Sequence, residues 1–109
     1  MEDLTKKKCI PCEGGTPPFT EEEAKKYLRQ VRGWELEGNK IKREFKFKNF
    51  VQAIKYVNRI AELAEREQHH PDILVYSWNK VRLTSYTHAI GGLSENDFIL
   101  AAKINQIKI

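Results

Sequence analysis

Two kinds of hydrophobic pattern alternate along the chain, and they predict helices and strands in turn. Apolar residues recur at helical spacing in three segments, each preceded by a residue that can cap a helix. Thr20 precedes the first segment, Asn49 the second and Ser94 the third. Pro71 disfavours helical geometry in the residue before it, so the second helix should end near residues 68–70.

The apolar positions also indicate which face of each helix is buried. The first helix, which should stop at Gly33, carries Ala24, Tyr27, Leu28 and Val31 on one side. The second helix is longer and has a wider apolar face. Its predicted stripe consists of Phe50, Ile54, Val57, Ala61 and Ala64, and it is widened by Val51, Ile60 and Leu63.

Between the helices, apolar and polar residues alternate, which predicts two β-hairpins. The first hairpin spans residues 34–47, and the second joins residues 73–78 to residues 80–87. The element order α-β-β-α-β-β-α predicts an α+β fold of two layers, with an antiparallel sheet and helices on one of its faces. Both faces of the third strand are apolar, so one of them faces either local segments or another subunit.

The first nineteen residues differ from the rest of the chain in composition. They combine charged residues, two glycines and two prolines with few apolar anchors, which is typical of a mobile or irregular segment. We therefore expect a flexible N-terminal arm over residues 1–19 and one folded domain over residues 20–109. Order in the arm would require a surface for it to pack against.

The composition of the chain limits which ligands and which cellular location we expect. The chain of 109 residues has a formal net charge of +4, but its Lys and Arg residues are scattered among acidic ones, which argues against a nucleic-acid ligand. No apolar run is long enough for a membrane span, and the first residues show no secretory signal. We expect no membrane association and a cytoplasmic location.

The two cysteines, Cys9 and Cys12, are too few for a disulfide scaffold and fit a reducing compartment. Their C-x-x-C spacing is compatible with redox chemistry or with half of a metal site. Free thiols in the arm are the favoured interpretation, because the sequence shows no partner ligands for them.

All three histidines fall in one part of the sequence, with His69 and His70 at the end of the second helix and His88 at the end of the last strand. An imidazole ionises near neutral pH, so histidines at this seam suit an acid and base pair in one cleft. Two other interpretations compete. His69 and His70 can stabilise the helix C-terminus while His88 packs at a strand end. A metal site is less favoured, because adjacent histidines seldom point the same way.

Several motifs in this region occur in a fixed order. They are Glu65-x-x-x-His69-His70-Pro71, an aromatic residue before Asn79-Lys80-Val81, Thr87-His88, and Leu93-Ser94-x-x-Asp97. Together they resemble the signature of the pterin-4a-carbinolamine dehydratases, and the resemblance extends over about residues 34–107. It implies a four-stranded antiparallel sheet with three helices, assembly as homodimers or homotetramers, a small pterin substrate, and catalysis without a metal or organic cofactor.

The resemblance also implies roles for individual residues. The catalytic positions are His69, His70 and His88. The substrate-binding positions are Gln68, Tyr86, Thr87 and Ala89, and the supporting positions are Glu65, Trp78 and Asp97. No metal ligand is implied. Asp97 has a second interpretation, since together with Ser94 it matches the pattern of a helix capping box.

Two features depart from the animal members of the family. The stretch between Pro71 and Asn79 is one residue longer, so either Tyr76 or Trp78 fills the aromatic position. Gln68 stands where an acidic residue is frequent.

The direction of His88 raises a geometric question. In an unbroken strand His88 would point away from the helices if Val81 and Leu83 point toward them. Either the strand ends or bulges near residue 86, or the pocket uses the other face of the sheet.

The implied function is removal of water from a 4a-hydroxytetrahydropterin to give a quinonoid dihydropterin, by histidine acid and base catalysis. Within tetrahydrobiopterin recycling, the reaction would link the protein to an aromatic amino acid hydroxylase. Two other functions compete: a non-catalytic dimerisation or coactivator module, as in vertebrate relatives, and a pterin enzyme of folate or molybdopterin metabolism. The intact histidine trio argues against loss of catalysis.

Overall fold

The secondary structure follows the order expected from the sequence. The computed structural model describes residues 3–10 and 16–108, and within them the helices are α1 (Glu21–Leu28), α2 (Phe50–Glu67) and α3 (Glu95–Asn105). The strands are β1 (Glu35–Glu37), β2 (Lys40–Lys46), β3 (Asp72–Tyr76) and β4 (Lys80–Ser85). Short 3-10 helices at Leu4–Lys6 and His88–Ile90 precede α1 and α3, respectively. The predicted order α-β-β-α-β-β-α is confirmed.

The predicted caps explain where each helix begins. Thr20 and Ser94 each form a capping box with the acidic residue three positions later. The Asn49 side chain accepts a hydrogen bond from the Gln52 N–H at 2.9 Å. Each helix start therefore follows from local sequence.

The first helix is shorter than expected. It ends at Leu28, and the following residues form tight turns in which Gln30 N–H donates to Tyr27 O at 2.9 Å and Val31 N–H donates to Leu28 O at 3.1 Å. Such bonds to the third preceding residue replace the α-helical pattern. Val31 keeps its predicted place in the core and is 1% exposed.

The four strands form one antiparallel sheet in the order β1-β2-β4-β3. Alternate residues of the two central strands, among them Ile41, Phe45, Val81 and Leu83, are buried in the core that the helices cover. The intervening residues are mostly polar and face the other side of the sheet. This two-layer arrangement agrees with the predicted fold, and it leaves β1 and β3 as edge strands.

The buried stripe of α2 differs from the one that the sequence indicated. Phe50 and Val51 are 53% and 58% exposed, whereas Ala53, Tyr56 and Ile60 are buried. Residues three apart on a helix differ in direction by about 60°, so the buried stripe is rotated by that angle from the predicted one. Tyr56 accounts for the difference, because its ring packs against two phenylalanine rings at 4.9 and 5.0 Å.

The turn between β3 and β4 begins earlier than expected. β3 ends at Tyr76, because Ser77 and Trp78 have left-handed backbone angles, with φ of 46° and 55°. Asn79 anchors this turn to the end of β2, since its side chain donates to Phe47 O at 3.0 Å and its carbonyl accepts from Phe47 N–H at 2.8 Å. The Asn79 position of the motif therefore has a structural explanation.

Part of the predicted arm lies on the folded domain. The 3-10 helix Leu4–Lys6 contacts α3, and Leu4 is only 3% exposed. The surface that order in the arm requires is thus provided by α3. Cys12 lies outside the described residues, and the division of the chain at residue 19 stays a prediction.

None of the helices in residues 3–10 and 16–108 has both the length and the apolar composition that a membrane crossing requires.

Candidate functional site

One cavity brings together residues from four separate stretches of the chain. Its volume is about 230 Å³, and it lies where the end of α2 meets the segment that follows β4. Its walls are formed by Ile10, Gln68, His69, His70, Tyr86, Thr87, His88, Ala89 and Asn96. All three histidines of the chain share this histidine cavity with the four predicted substrate-binding residues.

The end of α2 places His69 and His70 at the cavity. Gln68 caps the helix and has left-handed backbone angles, with φ of 53°, which turn the chain away from the helix axis. The backbone N–H groups of Gln68 and His69 both donate to Ala64 O. The Gln68 side-chain amide donates to Glu65 O at 2.7 Å. These bonds satisfy carbonyls of the last helical turn, so the two histidines leave the helix in a defined direction.

The direction of the His88 side chain is set by the point at which β4 ends. β4 ends at Ser85, and Thr87 forms an isolated bridge with Gly92. His88 then begins a 3-10 helix, so its side chain does not follow the alternation of the strand. The His88 ring lies against the Tyr86 ring, with their centroids 4.1 Å apart. Of the two alternatives that the sequence left open for His88, the structure shows the first, because the strand ends before residue 86.

The loop that carries His88 is held from two sides. Asn39, in the turn between β1 and β2, donates its side-chain N–H to Gly91 O at 2.9 Å. Thr87 N–H donates to Gly92 O at 2.7 Å. A Cβ atom at Gly92 would lie 2.7 Å from Cβ of Pro18, which is closer than carbon atoms can approach. With Pro18 in its present position, only glycine fits at position 92.

Asp97 lies behind the cavity and is fully buried. Its Oδ1 accepts hydrogen bonds from Nε2 of His69 at 2.7 Å and from the Ser85 hydroxyl at 2.6 Å. Its Oδ2 accepts from the Thr87 hydroxyl at 2.8 Å and from the Ser94 N–H at 3.0 Å. Four donors thus offset the loss of water around a buried carboxylate, and one of them is the capping interaction predicted from sequence.

The contact with Asp97 fixes the tautomer of His69. An ionised carboxylate only accepts hydrogen bonds, so Nε2 of His69 carries the proton. In the neutral ring, Nδ1 then holds the lone pair that can accept another proton. Because the His69 side chain is only 11% exposed, water does little to disturb this arrangement.

A second pair, Glu65 and His70, forms at the outer rim. Oε2 of Glu65 lies 2.5 Å from Nε2 of His70, but the side chains are 72% and 56% exposed. Water competes for both groups, so this contact orients the His70 ring more weakly than Asp97 orients His69.

Neither candidate for the aromatic position lies at the cavity. Trp78 is 61% exposed in the turn between β3 and β4, and Tyr76 is the last residue of β3. In the antiparallel hairpin, this turn lies at the end opposite to the histidines. Of the three predicted supporting residues, the structure brings Glu65 and Asp97 into contact with cavity histidines and places Trp78 elsewhere.

The sequence did not indicate three residues at the site. Ser85 is fully buried and donates to Asp97, and its only signal was a polar residue on the apolar face of β4. Ile10 and Asn96 line the cavity and are 86 positions apart in the chain. Ile10 lies in a segment without periodicity, so no local pattern could have placed it there.

A buried polar cluster lies beside the cavity. Glu67 accepts hydrogen bonds from the Cys9 N–H at 3.0 Å and from the Lys103 ammonium at 2.8 Å. Burial alone would raise the pKa of Glu67, but the bonds from Lys103 and Cys9 outweigh burial and hold this pKa below its ordinary value. Burial, assisted by the charge of Glu67, raises the pKa of the Cys9 thiol to about 12. Cys9 is therefore a protonated, weakly reactive thiol at neutral pH.

The groups around the cavity suit proton transfer. Imidazole nitrogens can donate or accept a proton near neutral pH. Within residues 3–10 and 16–108, His, Cys, Asp and Glu side chains form no group of three that could hold one metal ion.

Sequence comparisons identify similar proteins along nearly the whole chain. A family model described as pterin 4 alpha carbinolamine dehydratase matches residues 17–107. A protein of Nitrosomonas europaea, provisionally named as a pterin-4-alpha-carbinolamine dehydratase, is 56% identical over 107 residues, covering 96% of this chain and 93% of that protein. Pterin-4-alpha-carbinolamine dehydratase 2, mitochondrial, of Arabidopsis thaliana is 43% identical, and the match covers 100% of this chain and 61% of that protein.

A solved structure shares the fold. The crystal structure of a transcriptional coactivator/pterin dehydratase from Brucella melitensis matches with a TM-score of 0.74 and 37% sequence identity. The match covers 81% of this chain and 95% of the Brucella chain. It confirms the predicted α+β class.

Proposed function

Because the chain belongs to the pterin-4a-carbinolamine dehydratase family, we propose that it removes water from a 4a-hydroxytetrahydropterin and releases a quinonoid dihydropterin. The observation that carries this proposal is the meeting of His69, His70 and His88 in one cavity. Two separate stretches of the chain supply these side chains. Helix capping or strand packing alone would not require His88 to approach the end of α2.

The reaction needs one proton donated and one proton removed. The lone pair on nitrogen 5 of the pterin can expel the hydroxyl from carbon 4a, but hydroxide is a poor leaving group. A protonated imidazole that donates to the hydroxyl lets it leave as water, and a neutral imidazole then takes the proton of nitrogen 5 from the resulting cation. Each such group typically contributes about 10²- to 10⁴-fold to the rate.

We assign proton transfer to His69 and His88, and orientation of the ring to His70. His69 offers Nδ1 to the substrate, because Asp97 holds its other ring nitrogen. His88 supplies the second imidazole from the loop after β4. The two histidines exchange the duties of acid and base according to which face of the pterin bears the hydroxyl. No step in this scheme calls for a metal or an organic cofactor.

A dehydratase assay tests the proposal. The hydroxylated pterin is made in situ, and the quinonoid product is followed by ultraviolet absorbance with and without a chelator. We expect wild-type turnover above the spontaneous rate in both conditions, and a loss of about 10²-fold or more in His88→Ala. A wild-type rate equal to the spontaneous rate would refute the dehydratase, and a full rate in His88→Ala would remove His88 from the scheme.

Exposed apolar residues favour assembly with further copies of the chain. Phe50 and Val51 on α2 are 53% and 58% exposed, and Ile73 and Leu74 on β3 are 37% and 48% exposed. β3 is also an edge strand, whose free backbone groups can pair with another strand. We propose a homodimer or homotetramer. Light scattering measures its mass, which the change Leu74→Lys should lower if β3 is the interface.

The same exposed surface supports a second candidate, a coactivator-type dimerisation module. The Brucella protein of known structure is described as a transcriptional coactivator as well as a pterin dehydratase. A chain that assembles into oligomers but does not accelerate dehydration above the spontaneous rate would favour this second function.

For the pathway, we propose tetrahydrobiopterin recycling in the cytoplasm, coupled to an aromatic amino acid hydroxylase. Gene neighbourhood tests this placement. A neighbouring hydroxylase gene would support it, whereas neighbours from folate or molybdopterin metabolism would favour a pterin from those pathways.

A further inference from the structure

The N-terminal arm contributes a side chain to the histidine cavity that the proposed chemistry does not use. Ile10 is 69% exposed, although it is a large aliphatic residue, and it forms part of the cavity wall. An apolar side chain held in water beside a cavity gains free energy when a ligand covers it. Exposed in this place, the Ile10 side chain is available for contact with a ligand in the cavity.

Both backbone polar groups of Ile10 are held by a single side chain. Ile10 N–H donates to Oδ1 of Asn96 at 3.0 Å, and Ile10 O accepts from Nδ2 of Asn96 at 2.5 Å. Asn96 is buried in the first turn of α3, directly before Asp97. The arm is thereby attached at the same helix start that holds His69, which ties the position of Ile10 to that of the acid and base group.

Two further contacts fix the residues before Ile10. Nζ of Lys7 pairs with Glu95 at 3.0 Å, and the Cys9 N–H donates to the buried Glu67 at 3.0 Å. These contacts fix the position of Ile10, so the exposure of its side chain does not result from a frayed chain end.

We propose that Ile10 is a substrate-binding residue that packs against the bicyclic ring of the pterin. This inference rests on the dehydratase function proposed above. The reacting carbon must lie beside the histidines, and Ile10 enters from a different part of the chain, so it can cover ring surface that they leave open. Such an apolar contact is the same before and during the reaction. Its loss should therefore raise KM and leave kcat unchanged.

The steady-state constants of Ile10→Ala and Ile10→Leu test the inference. Lys6→Ala serves as the control, because Lys6 is exposed in the same arm and does not line the cavity. We expect KM to rise about 3- to 10-fold in Ile10→Ala with kcat unchanged, to recover in Ile10→Leu, and to stay at the wild-type value in Lys6→Ala. A KM in Ile10→Ala equal to that of wild type, or an equal rise in Lys6→Ala, would overturn the inference.

Titration calorimetry with dihydrobiopterin separates this inference from the proposed function. If wild type binds this pterin without any turnover and Ile10→Ala binds it about 3- to 10-fold more weakly, the dehydratase fails and the role of Ile10 stands. Equal Kd values in the two proteins reject the role of Ile10. A wild-type chain that neither turns over nor binds a pterin rejects both.

Discussion

The two pairs of carboxylate and histidine at the cavity use the same groups in opposite surroundings. The side chains of Asp97 and His69 are 0% and 11% exposed, whereas those of Glu65 and His70 are 72% and 56% exposed. The two contacts have similar lengths, 2.7 and 2.5 Å. Distance therefore does not distinguish them, but burial does, because water screens the outer pair and loss of a partner in the inner pair leaves a buried group unpaired.

Replacement of Asp97 by Asn should have the largest effect, because this residue supports both the cavity and the start of α3. Each carboxylate oxygen accepts two hydrogen bonds, and an amide nitrogen accepts none, so two of the four donors lose their acceptor. If the nitrogen takes the place of Oδ1, these two are His69 and Ser85, and His69 loses its fixed tautomer. If it takes the place of Oδ2, they are Thr87 and Ser94, and the start of α3 loses part of its cap. We expect kcat/KM to fall roughly 10²- to 10⁴-fold and the free energy of unfolding to fall by about 2–4 kcal/mol. Steady-state kinetics and urea denaturation measure the two effects. Wild-type kcat/KM in a folded Asp97→Asn protein would exclude the inner pair from proton transfer.

The histidines themselves allow a matched test of the comparison. His69→Gln should lower kcat by about 10²- to 10⁴-fold, since it removes a proton-transfer group. His70→Gln should lower kcat by less than about 10-fold, since His70 is assigned only to orient the ring. Each variant is the control for the other, and equal losses of kcat would remove the functional distinction between the pairs.

Glu67 provides a carboxylate of a third kind, buried and paired with Lys103 outside the cavity wall. The pKa of Glu67 is lowered in the folded protein, so the ionised carboxylate stabilises the fold. This contribution to the free energy of unfolding is complete above the unfolded carboxyl pKa of about 4.3, and it is lost as pH falls through the lower folded value. Glu67→Gln should therefore be less stable than wild type by about 1–2 kcal/mol at pH 7, and this difference should shrink below about pH 4. Urea denaturation across that range measures it. A difference that stays constant down to about pH 3 would contradict the lowered pKa.

Glu65→Gln should have the smallest effect. The outer pair is exposed, so we expect the free energy of unfolding to change by less than about 1 kcal/mol and kcat by less than about 3-fold. Raising the salt concentration should reduce even this difference, because exposed charges are screened. A loss of stability comparable with that of Asp97→Asn would show that burial does not separate the two pairs.

Short-range signals predicted the elements of the fold, because caps and periodicity depend on neighbouring residues. Thr20, Asn49 and Ser94 cap the three helices as expected. The buried face of α2 could not be predicted in the same way. It depends on how Tyr56 packs against the rings of Phe45 and Phe47, which lie at the end of the preceding strand. Helical periodicity does not encode such a contact between two elements, and an aromatic hydroxyl residue does not stand out in an aliphatic stripe.

The site likewise combines features that a sequence motif predicts with features that depend on tertiary contacts. The motif indicated that His69, His70 and His88 belong together, and the structure brings them to one cavity. β4 ends at Ser85, and beyond it Thr87 pairs with Gly92 in an isolated bridge that no strand pattern encodes. The direction of His88 depends on this local geometry. Roles in catalysis and binding stay predictions for all of these residues.

Gly92 makes mutational tolerance a poor guide to chemistry in this protein. The residue does not line the cavity, yet a side chain there would collide with Pro18 and displace the loop that carries His88. A saturation library selected for turnover would therefore score position 92 as strictly as a proton-transfer residue, through crowding alone. A map of tolerated substitutions would thus include position 92 in the reactive centre, although Gly92 does not line the histidine cavity. The three-dimensional structure separates such packing positions from the residues assigned to proton transfer.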